Sequence, residues 1–72
     1  MGNNESAAAK VRRLLSEQDR SYAWLARTAD VPYKRVLSEV KHESRPMSLD
    51  TAVVTSRALG VTLPVLVGEV AA

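Results

Sequence analysis

The chain has no cysteine and no long hydrophobic run, and these absences exclude several classes of protein. Without cysteine, its 72 residues can form neither a disulfide bond nor a thiolate metal site. The longest apolar stretch, residues 61–67, is interrupted by Thr62 and Pro64 and is too short to cross a bilayer. Residues 1–5 lack the basic and apolar regions of a secretion signal. We therefore expect a protein of the reducing cytoplasm.

The sequence also lacks the groups on which catalysis depends. It has no glycine-rich phosphate loop, no plausible Ser-His-acid constellation and no cluster of carboxylates for a metal. The single histidine, His42, has no evident ligand partners, so a surface or phosphate-contacting role is favoured over metal or acid chemistry. We predict neither an enzyme nor a protein that binds a metal or cofactor.

The composition is that of one ordinary globular domain over residues 1–72, with 46% hydrophobic and 25% charged residues. A chain this short buries only about 60% of its unfolded surface, so pairing with a second copy would add stability. The formal net charge is only +2, from ten basic and eight acidic residues. Bulk charge is therefore weak evidence for a nucleic-acid partner, and the placement of the basic residues matters more.

Apolar spacing predicts about five short helices and no strands, which indicates an all-α bundle. The first helix is expected over residues 5–18, with an inward face of Ala8, Val11, Leu14 and Leu15. The second is expected over Tyr22–Ala29 with Ser21 as its N-cap, and the third over residues 32–41 with Pro32 in the first turn.

The last two predicted helices follow the same logic. Ser48 offers an N-cap for a helix over Leu49–Leu59, and Gly60 can take the left-handed conformation that ends it. The inward stripe of this helix is predicted to be Leu49, Ala52, Val53 and Ser56. Thr62 is positioned to cap a fifth helix over residues 63–70, with an apolar face of Leu63, Leu66, Val67 and Val70.

The second and third helices are separated only by Asp30 and Val31, so they must meet at a corner. Ala26 is small enough to lie inside that corner, and Val36 and Val40 repeat at i, i+4 on the third helix. This is the spacing of a helix-turn-helix, whose second helix presents an exposed face that fits the major groove of DNA. With Val36 and Val40 inward, the basic and polar residues of the third helix point outward.

Several short motifs are spread over nearly the whole chain: Leu25-Ala26, Val31-Pro32, Val36 and Val40, Arg45-Pro46-Met47-Ser48-Leu49, and Ala58-Leu59-Gly60-Val61. With these motifs the chain resembles the phage Cro and lambda-repressor family of helix-turn-helix domains. It departs from the usual family pattern at two places. Asp30 stands where glycine is usual, and Glu39 stands where many members have an apolar residue, a role that Val40 takes over.

The resemblance implies a lambda-repressor-like DNA-binding domain with its helix-turn-helix at about residues 21–41. It further implies a small Cro-like repressor of a phage or bacterium, working in a bacterial host by occupying an operator. The expected base readers are Tyr33, Lys34 and Ser38, with Leu37 and Lys41 at the edge of the contact. The expected phosphate contacts are Tyr22, Arg27, Arg35, His42 and Arg45.

Because one helix reads only a few base pairs, we expect a homodimer, which forms on DNA if not before, and a palindromic double-stranded operator. The C-terminal residues Val61, Val65 and Val70 are the candidate dimer surface, although the same residues are also placed to close the core.

Other interpretations stay open. A protein-interaction module or antitoxin-like partner would use the same bundle without DNA, and an excisionase-like protein would bend DNA rather than repress. Tyr33 and Leu37 are also candidates for core packing. Trp24 fits either a gap against the first or fourth helix or a partner surface.

Overall fold

The computed structural model describes residues 6–67, and within this range the regular structure is entirely helical. The five helices are α1 (Ala7–Glu17), α2 (Tyr22–Ala29), α3 (Tyr33–Val36), α4 (Leu49–Leu59) and α5 (Leu63–Val67). A π-helical turn (Leu37–Lys41) continues α3 directly, and residues 33–41 are called the α3/π helix below. The predicted all-α class is confirmed for the described residues, and the bounds of α2 and α4 are those predicted.

Serine side chains cap three of these helices. The hydroxyl oxygens of Ser6, Ser21 and Ser48 each accept the backbone N–H three residues later, at 3.0, 2.9 and 3.2 Å. Each bond satisfies a first-turn amide that has no partner within its helix. The caps at Ser21 and Ser48 were predicted. The first helix begins later than predicted because Ser6 is its N-cap.

Backbone geometry at the helix ends follows residue type. Asp30 ends α2 with φ 59° and ψ 49°, and Gly60 ends α4 with φ 75°. Both are left-handed because aspartate and glycine tolerate this region better than most residues, and for Gly60 this conformation was predicted. Pro32, however, lies before α3 and not in its first turn: its ψ is 139°, and its carbonyl accepts the N–H groups of Arg35 and Val36.

One hydrophobic core joins all five helices. The turn between α2 and α3 belongs to it, because Ala26 and Val31 are each only 8% exposed. Their predicted place inside the corner is therefore confirmed. The largest fully buried apolar side chains are Val11, Leu25, Val36, Val40 and Leu66.

The inward face of α4 differs from the prediction. Leu49 is 67% exposed, whereas Thr51 and Thr55 are fully buried. The Thr55 hydroxyl donates to the Thr51 carbonyl oxygen at 2.7 Å, so its burial leaves no polar group without a partner. The other predicted residues lie inward to different degrees, with Ala52 and Ser56 buried and Val53 half-buried.

The C-terminal helix α5 closes the core with Leu66, which is fully buried, and with half-buried Leu63. The Thr62 carbonyl oxygen accepts the N–H groups of Val65 and Leu66 in this helix. Val70 and the side chain of Val67 lie outside the described residues. No helix within residues 6–67 combines the length and the apolar character needed to span a membrane.

Trp24, whose place the sequence left open, is half-buried and packs against the core. The Arg20 guanidinium lies over its ring, 4.6 Å from the centroid, which is a cation–π contact.

Candidate nucleic-acid interface

The α3/π helix has one buried face and one exposed basic face. Val36 and Val40 are fully buried, as the i, i+4 spacing predicted. Lys34, Arg35 and Lys41 are exposed. Because the buried valines hold the helix against the body, the cations are presented to solvent along its outer side.

The C-terminal half of this helix is wider than an α-helix. The His42 N–H donates to the Leu37 carbonyl oxygen at 2.8 Å, an i to i+5 bond that defines a π turn. The wider turn brings two consecutive residues inward, so Glu39 is only 6% exposed while Val40 is fully buried. The prediction that Val40 takes over the apolar role is confirmed. The burial of Glu39 beside it was not predicted, although an acidic residue at a usually apolar position was a signal for it.

A basic cleft forms where the α3/π helix meets the loop that follows it. Its lining contains Lys34, Arg35, Ser38 and Arg45, together with Pro32. Three of these side chains carry a positive charge, which favours an anion such as a phosphate group. The structure therefore brings two predicted base readers and two predicted phosphate contacts to one place.

Hydrogen bonds to Ser38 hold the loop beside this cleft. The Ser38 carbonyl oxygen accepts the N–H groups of Ser44 at 2.8 Å and of Arg45 at 3.4 Å. The Ser38 hydroxyl donates to the Arg35 carbonyl oxygen at 3.3 Å. Since a hydroxyl has one proton and two lone pairs, the Ser38 oxygen retains the capacity to accept a hydrogen bond from a ligand.

Lys41 and Tyr22 form a separate contact. The Lys41 ammonium lies over the Tyr22 ring, 5.7 Å from the centroid. This contact ties the end of the α3/π helix to the start of α2. The predicted base reader Lys41 therefore does not line the basic cleft and instead stands with the predicted phosphate contact Tyr22.

The remaining predicted contact residues lie around these two places. Tyr33 is 51% exposed, so the alternative that it packs in the core is wrong, and Leu37 is half-buried. Arg27 and His42 are exposed. An apolar groove lies beside Arg27 and Tyr33, and its other lining residues are Ala23, Ala26 and Val31.

Arg12 is a residue that sequence reasoning missed. Its Nη1 donates to the Val40 carbonyl oxygen at 2.8 Å and to Glu43 Oε1 at 2.9 Å. The last carbonyls of a helix lack partners within it, so Arg12 satisfies one of them and ties the α3/π helix to α1. A signal existed in the sequence, because Arg12 stands four residues after Ala8 and so borders the apolar face of α1.

The other partner of this clamp, Glu43, has left-handed backbone geometry with φ 51°. The hydrogen bond from Arg12 lowers the pKa of the Glu43 carboxyl below its ordinary value, with a smaller lowering from Ser6. The carboxylate is thus favoured in the folded protein.

The candidate dimer residues are placed unequally. Val61 is half-buried and packs against the core, whereas Val65 is 51% exposed, and Val70 lies outside the described residues. Within residues 6–67 no group of three or more histidine, aspartate or glutamate side chains is arranged to hold a metal ion.

No protein-family model, curated protein or solved structure matches the chain.

Proposed function

We propose that this protein is a sequence-specific regulator that binds double-stranded DNA, with α2, the turn at residues 30–32 and the α3/π helix acting as a helix-turn-helix. The observation that carries the proposal is the two-sided character of the α3/π helix. Val36 and Val40 anchor it in the core while its opposite side exposes Lys34 and Arg35 beside Arg45. A rod held in this way fits the major groove, where its outer side chains meet base edges and flanking phosphates.

Base reading is assigned to the start and middle of the α3/π helix. Lys34 can donate to the O6 and N7 acceptors of guanine, and the Ser38 hydroxyl can accept from a base edge. Tyr33, which is exposed in the first turn, adds a contact to a base or a phosphate. Leu37 is the candidate for packing against a thymine methyl group.

Phosphate contacts are assigned to side chains that flank this face. Arg35 and Arg45 share the basic cleft, while Arg27 lies on α2 and His42 follows the π turn. The pair of Tyr22 with Lys41 is a further phosphate contact at the start of α2. Such contacts set the register of the protein on the duplex without reading sequence.

Two copies are expected to bind one operator. The longest extent of residues 6–67 of a single copy is 32 Å. Two recognition helices on one face of DNA lie about 34 Å apart, so one copy is the right size to cover a half-site. The exposed Val65 at the C-terminal end is the candidate contact between copies. A two-fold symmetric dimer requires a palindromic operator.

The resemblance to Cro-type repressors supports repression by operator occupancy as the biological outcome. Bound at a promoter, the protein would exclude polymerase. An excisionase-like bending of DNA is the variant of this proposal in which the same surface serves recombination. Gel-shift assays on circularly permuted fragments separate the two, because only a bending protein makes mobility depend on the position of the site.

Selection from a random double-stranded DNA library, followed by footprinting of the enriched site, tests the proposal. We expect enrichment of one sequence with two-fold symmetry. Equal affinity for all sequences at moderate ionic strength would contradict sequence-specific binding. Enrichment of a short asymmetric site would support sequence-specific binding but contradict binding as a symmetric dimer.

The apolar groove of Ala23, Ala26, Val31 and Tyr33 supports a second candidate function, which is the binding of a protein partner. This candidate predicts that Tyr33→Ala abolishes partner binding while substitutions in the basic cleft do not. The DNA proposal predicts the larger effects in the cleft.

A further inference from the structure

Glu39 is a buried carboxylate directly behind a surface that we assign to DNA. Its side chain is 7% exposed, and it belongs to the same helix as Lys34, Arg35 and Lys41. A negative charge in this position weakens the attraction of the surface for any phosphate backbone. Such a charge favours DNA binding only if it also strengthens the binding of a particular site.

The two carboxylate oxygens of Glu39 face different partners. Oε1 accepts the Ser48 N–H at 3.0 Å, which joins the α3/π helix to the N-cap residue of α4. Oε2 lies 3.9 Å from Nε of Arg35, one helical turn earlier. Within the described chain no buried side-chain nitrogen or oxygen is left without a partner, so the burial of Glu39 is structurally satisfied.

The π turn is what makes this arrangement available. The helix accommodates an extra residue between Leu37 and His42, and so Glu39 turns inward together with Val40. In that position its carboxylate lies between a rigid point, the Ser48 amide, and a long side chain that lines the basic cleft.

We propose that Glu39 is a positioning residue that holds Arg35 in the basic cleft and thereby raises the discrimination between operator and random DNA. The inference rests on the proposed DNA-binding function. Within that function, Glu39 and Arg35 together fix the register of the protein on the duplex. Arg35 is 48% exposed, so without a partner its long side chain would sample many rotamers. An ion pair with Glu39 through Nε narrows this sampling, and the remaining donors of the planar guanidinium stay available for a phosphate.

The same charge acts against binding to random DNA. A specific complex uses the ordered Arg35 contact, which outweighs the repulsion by Glu39. A non-specific complex has no fixed register, so it experiences the repulsion without the full benefit of that contact. Glu39 therefore widens the ratio between the two affinities.

Glu39→Gln is the direct test, because glutamine keeps an acceptor for the Ser48 N–H but removes the charge that faces Arg35. We expect affinity for the selected site to fall about three- to tenfold, the effect of losing the coupling between two contacting groups. Affinity for random DNA should rise about twofold, since one repelling charge near the duplex is removed.

Glu43→Gln is the matched control. It removes one negative charge from the loop that follows the same helix, but from a residue that pairs with Arg12 and not with Arg35. The control should also raise the affinity for random DNA, yet it should leave the preference for the selected site close to that of the wild type. Urea midpoints measured on both variants show whether either has lost stability.

A double-mutant cycle with Arg35→Ala separates positioning from general destabilisation. If Glu39 acts through Arg35, then adding Glu39→Gln to Arg35→Ala causes no further loss of affinity for the selected site. An equal loss in both backgrounds would overturn the proposal. The proposal would also be overturned if the single Glu39→Gln variant kept the wild-type ratio of affinities for the selected site and for random DNA.

Library selection with the wild-type protein comes before the tests on variants. If the wild-type protein selects no sequence, the proposed function fails. If the wild-type protein selects a site, and the Glu39→Gln variant prefers that site over random DNA by the same ratio, the function stands and the role of Glu39 is refuted. Should Glu39→Gln not fold, Arg35→Lys tests the same contact from its exposed end, because lysine keeps the charge but lacks Nε. Discrimination equal to wild type in Arg35→Lys would then refute the proposal.

Discussion

Replacing Arg12 by alanine should destabilise the protein, because it breaks a contact between α1 and the α3/π helix. The change removes the hydrogen bond from Nη1 to the Val40 carbonyl oxygen, which is 2.8 Å long and partly buried. A hydrogen bond from a charged donor contributes about 1.5 to 3 kcal/mol. The accompanying ion pair with Glu43 is exposed enough for solvent to screen it, so it adds little.

The expected loss is therefore about 2 kcal/mol, which lowers the melting temperature of a domain of this size by about 8 to 16 °C. Urea denaturation followed by far-UV circular dichroism measures the change. Trp24 fluorescence is a second probe, because the indole packs against the core and the Arg20 guanidinium lies over it. Coincident transitions from both probes would show that the unfolding is two-state.

Arg13→Ala is the control on the same helix. Its ion pair with Glu17 spans 3.8 Å between exposed side chains, so the loss of that pair should cost only about 0.5 kcal/mol. A urea midpoint of Arg12→Ala equal to that of the wild type would refute the view that Arg12 ties the α3/π helix to α1. If Glu43→Gln reproduced the whole loss, the ion pair and not the carbonyl contact would be the stabilising interaction.

Three further predictions concern the DNA surface and pH. Lys34→Ala should weaken binding to the selected site by about 1 to 3 kcal/mol and relax base preference, and an unchanged preference in library selection would contradict this. Arg45→Gln should lower the slope of log affinity against log salt by about 1, so an unaltered slope would remove Arg45 from the interface. Because the pKa of Glu43 is lowered in the folded protein, its stabilisation is present above the ordinary glutamate pKa and is lost as pH falls through the lowered value. Wild-type stability should thus decrease below about pH 4 more steeply than that of Glu43→Gln, and parallel profiles in acid would refute this assignment.

Local features of the fold were predictable from the sequence because their causes lie within a few residues. Ser21 and Ser48 cap helices through amides three residues away. Asp30 and Gly60 adopt left-handed geometry because their own residue types tolerate it, glycine for want of a Cβ and aspartate through its short polar side chain. The exposed cations of the α3/π helix follow from the i, i+4 valines by the same short-range logic.

Features that depend on distant partners were not predictable in this way. Leu49 was assigned to the core by periodicity, yet the packing of α4 against the other helices buries Thr51 and Thr55 in its place. Their hydroxyl groups find hydrogen-bond partners within residues 48–55, so this burial leaves them satisfied. The inward carboxylate of Glu39 is satisfied by the Ser48 amide, nine residues further along the chain.

The amino-acid sequence by itself determined the bounds of α2 and α4, and which side of the α3/π helix is apolar, since capping and periodicity act over a turn or two. Only the tertiary structure decided that Arg45 joins Lys34 and Arg35 in one cleft, that Glu39 lies beneath it, and that Arg12 holds the helix from 28 residues away. The physical reason is that these contacts form between elements brought together by burial of a shared core, and their geometry is set by packing and not by spacing along the chain.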